Sequence, residues 1–285
     1  MTSNLTVKNV LRTAELRLKT VGIDTSRLDA RVLLGHAMGI EASHLLMHQD
    51  TIVEDTTTFE AMLRRRETRE PVAHIVGVRG FWDHDFAVTA DVLTPRPDSE
   101  TLIETALEIL PQDQPARILD LGTGSGCLIL SILAARPKAT GVALDLSAAA
   151  LTVARSNAKS LSVTQQVKFI EGDFSTAPTE LFDLIISNPP YIRTADISAL
   201  EPELHHEPVL ALDGGDDGLT AYRQLANLVI ERTGTCGTVI FEVGIDQAPP
   251  VSDLLRSVGY AGVSVRCDLS GVQRCVIATQ TVTHT

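Results

Sequence analysis

The stretch Ile118-Leu119-Asp120-Leu121-Gly122-Thr123-Gly124-Ser125-Gly126 decides the fold. A short apolar strand runs straight into a glycine-rich turn, and the apolar run Cys127 to Ala135 then continues as a helix. The glycines fall at 122, 124 and 126, where a dinucleotide fingerprint would want glycine at position 127, which here is Cys127. The longer fingerprint loop seats a pyrophosphate on the helix N-terminus. The tighter loop lets backbone approach a ligand that carries no phosphates. Asp120, at the end of the strand, would repel a pyrophosphate and suits the cationic amino group of a methionine moiety.

Outward from this stretch the pattern alternates. Strand-like runs fall at Arg117–Leu121, Thr140–Leu146, Gln166–Glu171, Leu181–Ser187, Thr238–Val243, Gly262–Arg266 and Arg274–Thr279. Helical segments separate most of them, which predicts an α/β fold with a doubly wound, mostly parallel sheet. The last two runs are joined only by a short turn around Gly271, so they pair antiparallel. Upstream, residues 1–78 read as a small helical domain. Val7, Leu11, Ala14 and Leu18 share one helix face, and Asp24-Thr-Ser26 caps a second helix that stops at Gly39. A third helix is expected from about Thr56 to Arg69. Residues 79–96 form the linker: between Phe81 and Val92 the period drops to two at Phe86 and Val88, a β-hairpin signature. A helix from Asp98 to Leu110 opens the larger domain, 97–285.

The formal charge of −12 is unevenly placed. Residues 1–96 hold 12 Lys/Arg against 13 Asp/Glu, and residues 97–285 hold 12 against 23. Neutralised phosphates supply much of a nucleic-acid binder's affinity, so the acidic larger domain argues against such a partner. The basic run Arg64-Arg65-Arg66, with Glu67, Arg69 and Glu70 beside it, reads as a solvated helix face. Met1-Thr-Ser-Asn-Leu5 lacks the basic and apolar regions of a signal peptide, and Cys127–Ala135 is too short to span a bilayer. A cytoplasmic protein without membrane association is expected. Cys127, Cys236, Cys267 and Cys275 have no metal-ligand spacing and are read as free thiols, and the pair His205-His206 reads as loop surface.

Three strand ends converge on one crevice, because ligands in such sheets bind beyond the carboxyl ends of the strands. The first is the loop Gly122, Thr123, Gly124, Ser125, Gly126. The second is Asp145, whose carboxylate suits the two hydroxyls of a ribose. At the third, Asp173 can accept from an adenine amino group while Phe174 covers the ring. The fourth strand ends in Asn188-Pro189-Pro190-Tyr191. Two prolines end the ladder, and the carbonyls of Asn188 and Pro189 are left to accept from something else. With the Asn188 side-chain oxygen they present acceptors for an NH₂ group, and Tyr191 offers a flat face to a planar amide or base. An amide nitrogen is a poor nucleophile, and fixing both of its N–H bonds aims it at an electrophile.

The glycine loop and Asn188-Pro-Pro-Tyr191 together resemble the class I, seven-stranded S-adenosylmethionine methyltransferases, whose related members methylate adenine in DNA, guanine in ribosomal RNA or glutamine in proteins. Leu93-Thr-Pro-Arg-Pro-Asp-Ser-Glu100 is similar to the L-I-P-R-P-x-T-E stretch of the protein-(glutamine) methyltransferases that modify peptide chain release factors. Glu207-Pro-Val-Leu-Ala-Leu212, Gly214-Gly-Asp-Asp-Gly-Leu219 and Tyr222-Arg223 resemble the same family, as do Phe241-Glu-Val-Gly244 with Gln247 and Leu28-Asp-Ala-Arg-Val-Leu-Leu34. Thr94, Ser99, Glu70 and His205-His206 depart from the family pattern, where Ile, Thr, Gly and an aromatic are usual. The resemblance implies S-adenosylmethionine on the glycine loop, Asp145 and Asp173-Phe174. It implies the glutamine of a release factor's Gly-Gly-Gln loop on Asn188 to Tyr191, and a release-factor-docking role for the helical domain. Rival readings are glutamine methylation of a ribosomal protein, methylation of a nucleobase amine, and a non-catalytic cofactor-binding scaffold. Against the nucleobase stands the stretch between Arg193 and Arg223, which has no Lys or Arg but carries Asp196, Glu201, Glu203, Glu207, Asp213, Asp216 and Asp217.

Overall fold

A computed structural model of the chain describes residues 5–280 and divides it into two units. Met1–Val78 and Glu201–His206 make up the first, Arg79–Leu200 and Glu207–Thr285 the second.

The first unit is built from α1 (Val7–Thr20), α2 (Ser26–Met38), α3 (Thr57–Glu67) and α4 (Val72–Val76). Thr6 caps α1 by accepting from the Asn9 amide, and Gly39 ends α2 in the left-handed region that glycine adopts without strain. Val7, Val10, Ala14 and Leu18 of α1 pack with Leu33, Leu34, Phe59 and Leu63 in one core. Val10 is more deeply buried than the expected Leu11.

The arginine run on α3 departs from a solvated face. Arg65 does keep a local partner, Glu70. Arg66 is only 4 % exposed. Its Nε donates to Asp29 Oδ2 of α2 at 2.8 Å, and its Nη2 lies 2.9 Å from Glu203 Oε1. Arg69 Nη2 reaches the other oxygen of Glu203 at 2.7 Å. A buried guanidinium is tolerable because two carboxylates neutralise it and accept from its fork. One of them arrives from residue 203, far along the chain, so the local pattern of α3 gave no sign of it. His206 belongs to the same excursion, with Nε2 3.2 Å from the Thr68 carbonyl.

The second unit opens with a hairpin, β1 (Val78–Phe81) and β2 (His84–Ala87). It sits a few residues earlier than the period-two run suggested, because Trp82 takes a positive φ of 54° and turns the chain at once. Then follow α5 (Glu100–Ile109), β3 (Arg117–Leu121), α6 (Cys127–Ala135), β4 (Thr140–Asp145), α7 (Ala148–Ser160), β5 (Val167–Glu171) and β6 (Phe182–Ser187). The chain ends with α8 (Thr220–Arg232), β7 (Thr233–Glu242), α9 (Ala248–Ser257), β8 (Gly262–Cys267) and β9 (Gln273–Thr279). The seven strands are ordered β5-β4-β3-β6-β7-β9-β8. All neighbours are parallel except the β7–β9 and β8–β9 pairs. β7 begins five residues before its expected start. Gly234 and Gly237 hide that extension, and a Cβ on Gly237 would stand 2.7 Å from the Phe182 carbonyl of the neighbouring strand.

Side-chain alternation buries both faces of the sheet. Ile118, Leu184, Ile186 and Ile240 pack against α5 and α6, with Phe81 and Phe86 of the hairpin. Leu119, Leu121, Ile185 and Phe241 pack against Tyr222 and Leu225 of α8 and Val251 and Leu255 of α9. All four cysteines are free; in the β8–β9 register Cys275 stands opposite Arg266, and Cys267 opposite Gln273. Among the described residues no helix is long and apolar enough to cross a membrane.

Candidate active site

The strand order reverses direction between β3 and β6, and a cavity of about 440 Å³ opens there beyond the strand ends, in the size range of small-molecule sites. Of the residues singled out in the sequence, Gly122, Thr123, Gly124, Ser125, Asp145, Asp173, Phe174, Asn188 and Pro190 line it.

The glycine loop is set by hydrogen bonds to β4. The amides of Gly122 and Thr123 donate to the Leu144 carbonyl at 2.9 and 3.0 Å, and the Gly124 amide donates to Asp145 Oδ2 at 2.8 Å. Gly122 and Gly124 have φ of 79° and 55°, and nothing stands within 4 Å of where their Cβ atoms would be. They leave bare backbone facing open space. Gly126 serves packing instead: its Cβ would lie 2.7 Å from Leu130 Cδ1, and it does not reach the cavity wall. Asn157 braces the loop from behind, donating to the carbonyls of Ser125 and Ala87 at 2.8 and 3.0 Å while accepting from the Ala87 amide.

Asp145 accepts from the amides of Gly124 and Ser147, one on each oxygen, which fixes the carboxylate at the rim with lone pairs to spare. Asp173 Oδ1 is engaged by the amide and hydroxyl of Ser175, and that hydroxyl holds the carboxyl below its ordinary range.

Asp120 is placed differently from the sequence expectation. It is fully buried and off the cavity wall, accepting from the Thr123 hydroxyl at 2.6 Å, while its Oδ1 has no partner. Depth along the strand explains this, since Asp120 shares the face of Ile118 beneath α6 and pairs with Ala143, two residues before Asp145 reaches the rim. Burial pushes its carboxyl up to about 7. Glu242, at the end of β7, is likewise buried and also pushed up to about 7. In the unfolded chain both titrate near their ordinary values. From there to about pH 7 the folded protein therefore holds protons that the unfolded chain has released. Their contribution to stability is fully present below the unfolded values and is lost as pH rises through about 7. Urea denaturation should accordingly give a stability lower by ~1 kcal/mol or more at neutral pH than at mildly acidic pH. A rise over that interval would contradict it.

The tetrapeptide after β6 is held by residues the motif reading did not include. Asn188 Nδ2 donates to Ser99 Oγ at 3.4 Å. Gln247 Nε2 donates to the Tyr191 carbonyl at 2.9 Å, and Gln247 Oε1 accepts from the Gly244 amide. A Cβ on Gly214 would stand 2.8 Å from Tyr191 Cα, and one on Gly218 2.5 Å from the Tyr191 carbonyl oxygen. Those glycines exist to let two loops close on the turn. Pro189 and Tyr191 do not reach the cavity wall; the Tyr191 ring packs on the apolar cluster under α8 and α9. Burial, with the Glu242 charge, pushes its hydroxyl up to about 12. Thr94, Arg96 and Glu207 form a further network: Glu207, 5 % exposed, pairs with Arg96 at 2.7 Å and accepts from Thr94. Thr94 thus has a use that an isoleucine there would lack. Ser99, Gln247 and Glu207 carried only a family resemblance in the sequence. Glu242 carried a signal of its own, a carboxylate inside an apolar strand.

The cavity fits S-adenosylmethionine on its own features. It offers exposed loop backbone without side chains, a fixed rim carboxylate, and apolar walls from Leu144, Leu146 and Phe174.

Comparison with known proteins agrees. Residues 9–77 match the profile of the PrmC N-terminal domain, and residues 98–209 match that of the methyltransferase small domain. A release factor glutamine methyltransferase of Rhodospirillum rubrum is 46 % identical over 97 % of this chain and 86 % of its own length. That of Caulobacter vibrioides is 41 % identical over 96 % of both chains. Among solved structures, a methyltransferase of Pyrococcus furiosus superposes with a TM-score of 0.54 at 14 % identity, over 78 % of this chain and 98 % of that one, which supports the fold alone.

Proposed function

This chain belongs to the release factor glutamine methyltransferase family, and from that premise we propose that it methylates the side-chain amide nitrogen of the glutamine in the Gly-Gly-Gln motif of peptide chain release factors. The observation that carries the reading is that the glycine loop with Asp145 and the turn with Asn188 and Pro190 line one cavity. S-adenosylmethionine, when bound, supplies an electrophilic methyl group on sulfur.

The remaining work falls to the chain's own residues. The backbone of Gly122 to Ser125 would lie along the cofactor, and Asp145 would accept from the ribose hydroxyls. Phe174 would cover the base, and Asp173 would accept from its amino group. Asn188 Oδ1 and the backbone carbonyls of the turn accept from the acceptor NH₂. Both N–H bonds of the glutamine are thereby fixed, and the nitrogen is turned toward the methyl as its lone pair localises. The same acceptors stabilise the positive charge that builds on nitrogen. The methylated amide then sheds its extra proton without a strong base.

The acidic stretch between Arg193 and Arg223 disfavours a polyanion, and the proposal includes neither nucleic acid nor membrane as a partner. The helical unit is assigned to docking the release factor, in the cytoplasm.

Incubation of release factor with this protein and S-adenosylmethionine should place one methyl on the loop glutamine by mass spectrometry. Transfer to a ribosomal protein or to RNA instead would overturn the substrate assignment. Asp145→Ala should weaken the cofactor by ~2 kcal/mol, about 30-fold by calorimetry, since it removes a charged acceptor and frees the Gly124 amide. Unchanged affinity would remove Asp145 from the cofactor site.

A further inference from the structure

We propose that Glu242 is a positioning residue that fixes the Asn188 amide with its oxygen turned toward the acceptor. The inference rests on the acceptor reading above and adds the element that makes Asn188 directional.

An asparagine amide is nearly symmetric in shape, and its two ends differ only in hydrogen bonding. Left unconstrained, Asn188 would present NH₂ to the pocket about as readily as oxygen, and an NH₂ there would repel the NH₂ it must hold. The register of the sheet supplies the constraint. Ser187 of β6 pairs with Phe241 of β7 in parallel, so Asn188 and Glu242 are the next residues on neighbouring strand ends. Glu242 is 2 % exposed, and the Ser99 and Asn188 side chains lie close enough to its carboxyl to work against the effect of burial. An ionised carboxylate has no proton to give. Ser99 Oγ meets Asn188 Nδ2 with a lone pair at 3.4 Å, which leaves its hydroxyl proton to be directed at the carboxylate. Both neighbours on the inner side of Asn188 are therefore acceptors, and the amide must send its NH₂ inward. A hydroxyl at position 99 is required, which either serine or threonine satisfies.

A carboxylate this deep is otherwise hard to explain. Glu242 lies in a strand whose neighbours Val239, Ile240 and Phe241 are wholly buried, and its Oε2 has no hydrogen-bond partner. The charged and titratable groups facing it are Arg274 and Cys275 of β9, Asp98, Tyr191, Tyr222 and Cys127. Arg274 is shared with Asp98 at 2.6 Å and Asp268 at 3.1 Å, so it only partly offsets the cost of burial. Burial outweighs these partners and holds the Glu242 carboxyl near 7. Once protonated, it gains a donor and the directional constraint on Asn188 is lost.

The test is Glu242→Gln, which keeps shape and can donate to Asn188. We expect kcat for release factor to fall about 100-fold, with KM for S-adenosylmethionine and the melting temperature near those of the wild type. The wild type should lose kcat as pH drops below about 7, and Glu242→Gln should lack that acid limb. The comparison matters because Asp120 titrates in the same range and would leave the limb unchanged. Equal kcat with the limb retained overturns the proposal. Should Glu242→Gln fail to fold, Ser99→Ala decides together with the wild-type profile. A loss of about tenfold in kcat with an acid limb supports the proposal, and normal kcat with a flat profile down to about pH 6 overturns it. If the wild type does not methylate the glutamine at all, the substrate reading has failed; if it does and Glu242→Gln matches it, only the role of Glu242 has.

Discussion

Asn188→Ala is expected to lower the single-turnover methylation rate by roughly two to three orders of magnitude while cofactor affinity stays at the wild-type level. The alanine removes the side-chain acceptor that would hold the glutamine NH₂, and nothing nearby replaces it. Ser99 and Glu242 remain on the inner side of the turn. The turn itself should survive, because Gln247 holds it by the Tyr191 carbonyl and not through Asn188. Asn188→Asp keeps an acceptor but sets a second carboxylate beside buried Glu242, so it should fall between alanine and the wild type. Rapid-quench measurements with saturating cofactor separate this from a binding defect. Normal rates in both variants would reduce Asn188 to a turn residue.

Arg66→Ala should cost about 3–5 kcal/mol of stability in the helical unit, the range for removing one partner of a buried ion pair. Asp29 would keep only the Thr25 hydroxyl, and Glu203 only Arg69. Arg66→Lys should recover part of the loss, since one ammonium cannot span both carboxylates as the guanidinium fork does. Differential scanning calorimetry on the full chain would show the helical unit melting earlier and the cofactor-stabilised transition unmoved. A shift corresponding to less than about 1 kcal/mol would mean that solvent screens the pair as it does at a surface.

The parts legible in the sequence are those where one segment carries its own meaning. The β3 run with its glycine loop, the carboxylate ending β4 and the prolines ending β6 each announce a strand end by local chemistry. The sheet class follows from their spacing, and the antiparallel last pair from the short turn at Gly271. What stayed hidden depends on which residues meet across the fold. Asp120 stands near a strand end like Asp145, yet it pairs with Ala143, two residues short of Asp145, which leaves it under α6 while Asp145 meets the cavity. Glu242 is an oddity in an apolar strand until the β6–β7 register sets it beside Asn188. Arg66 sits in a run that reads as surface, and only carboxylates 37 positions before it and 137 positions after it show otherwise. Gln247 acts on Tyr191 across two loops, which no single motif displays.

Because Glu201–His206 packs as part of the helical unit, that unit is not a detachable cassette. A chimaera that takes residues 1–78 from one relative and the rest from another would break a three-body charge match unless the six-residue insert travels with them. A fragment beginning at Arg79 would retain Glu203 without Arg66 or Arg69, and the loop between the Asn188 turn and Glu207 would lose its mooring. Recombination between such genes should therefore show linked inheritance of two stretches that lie far apart in the reading frame.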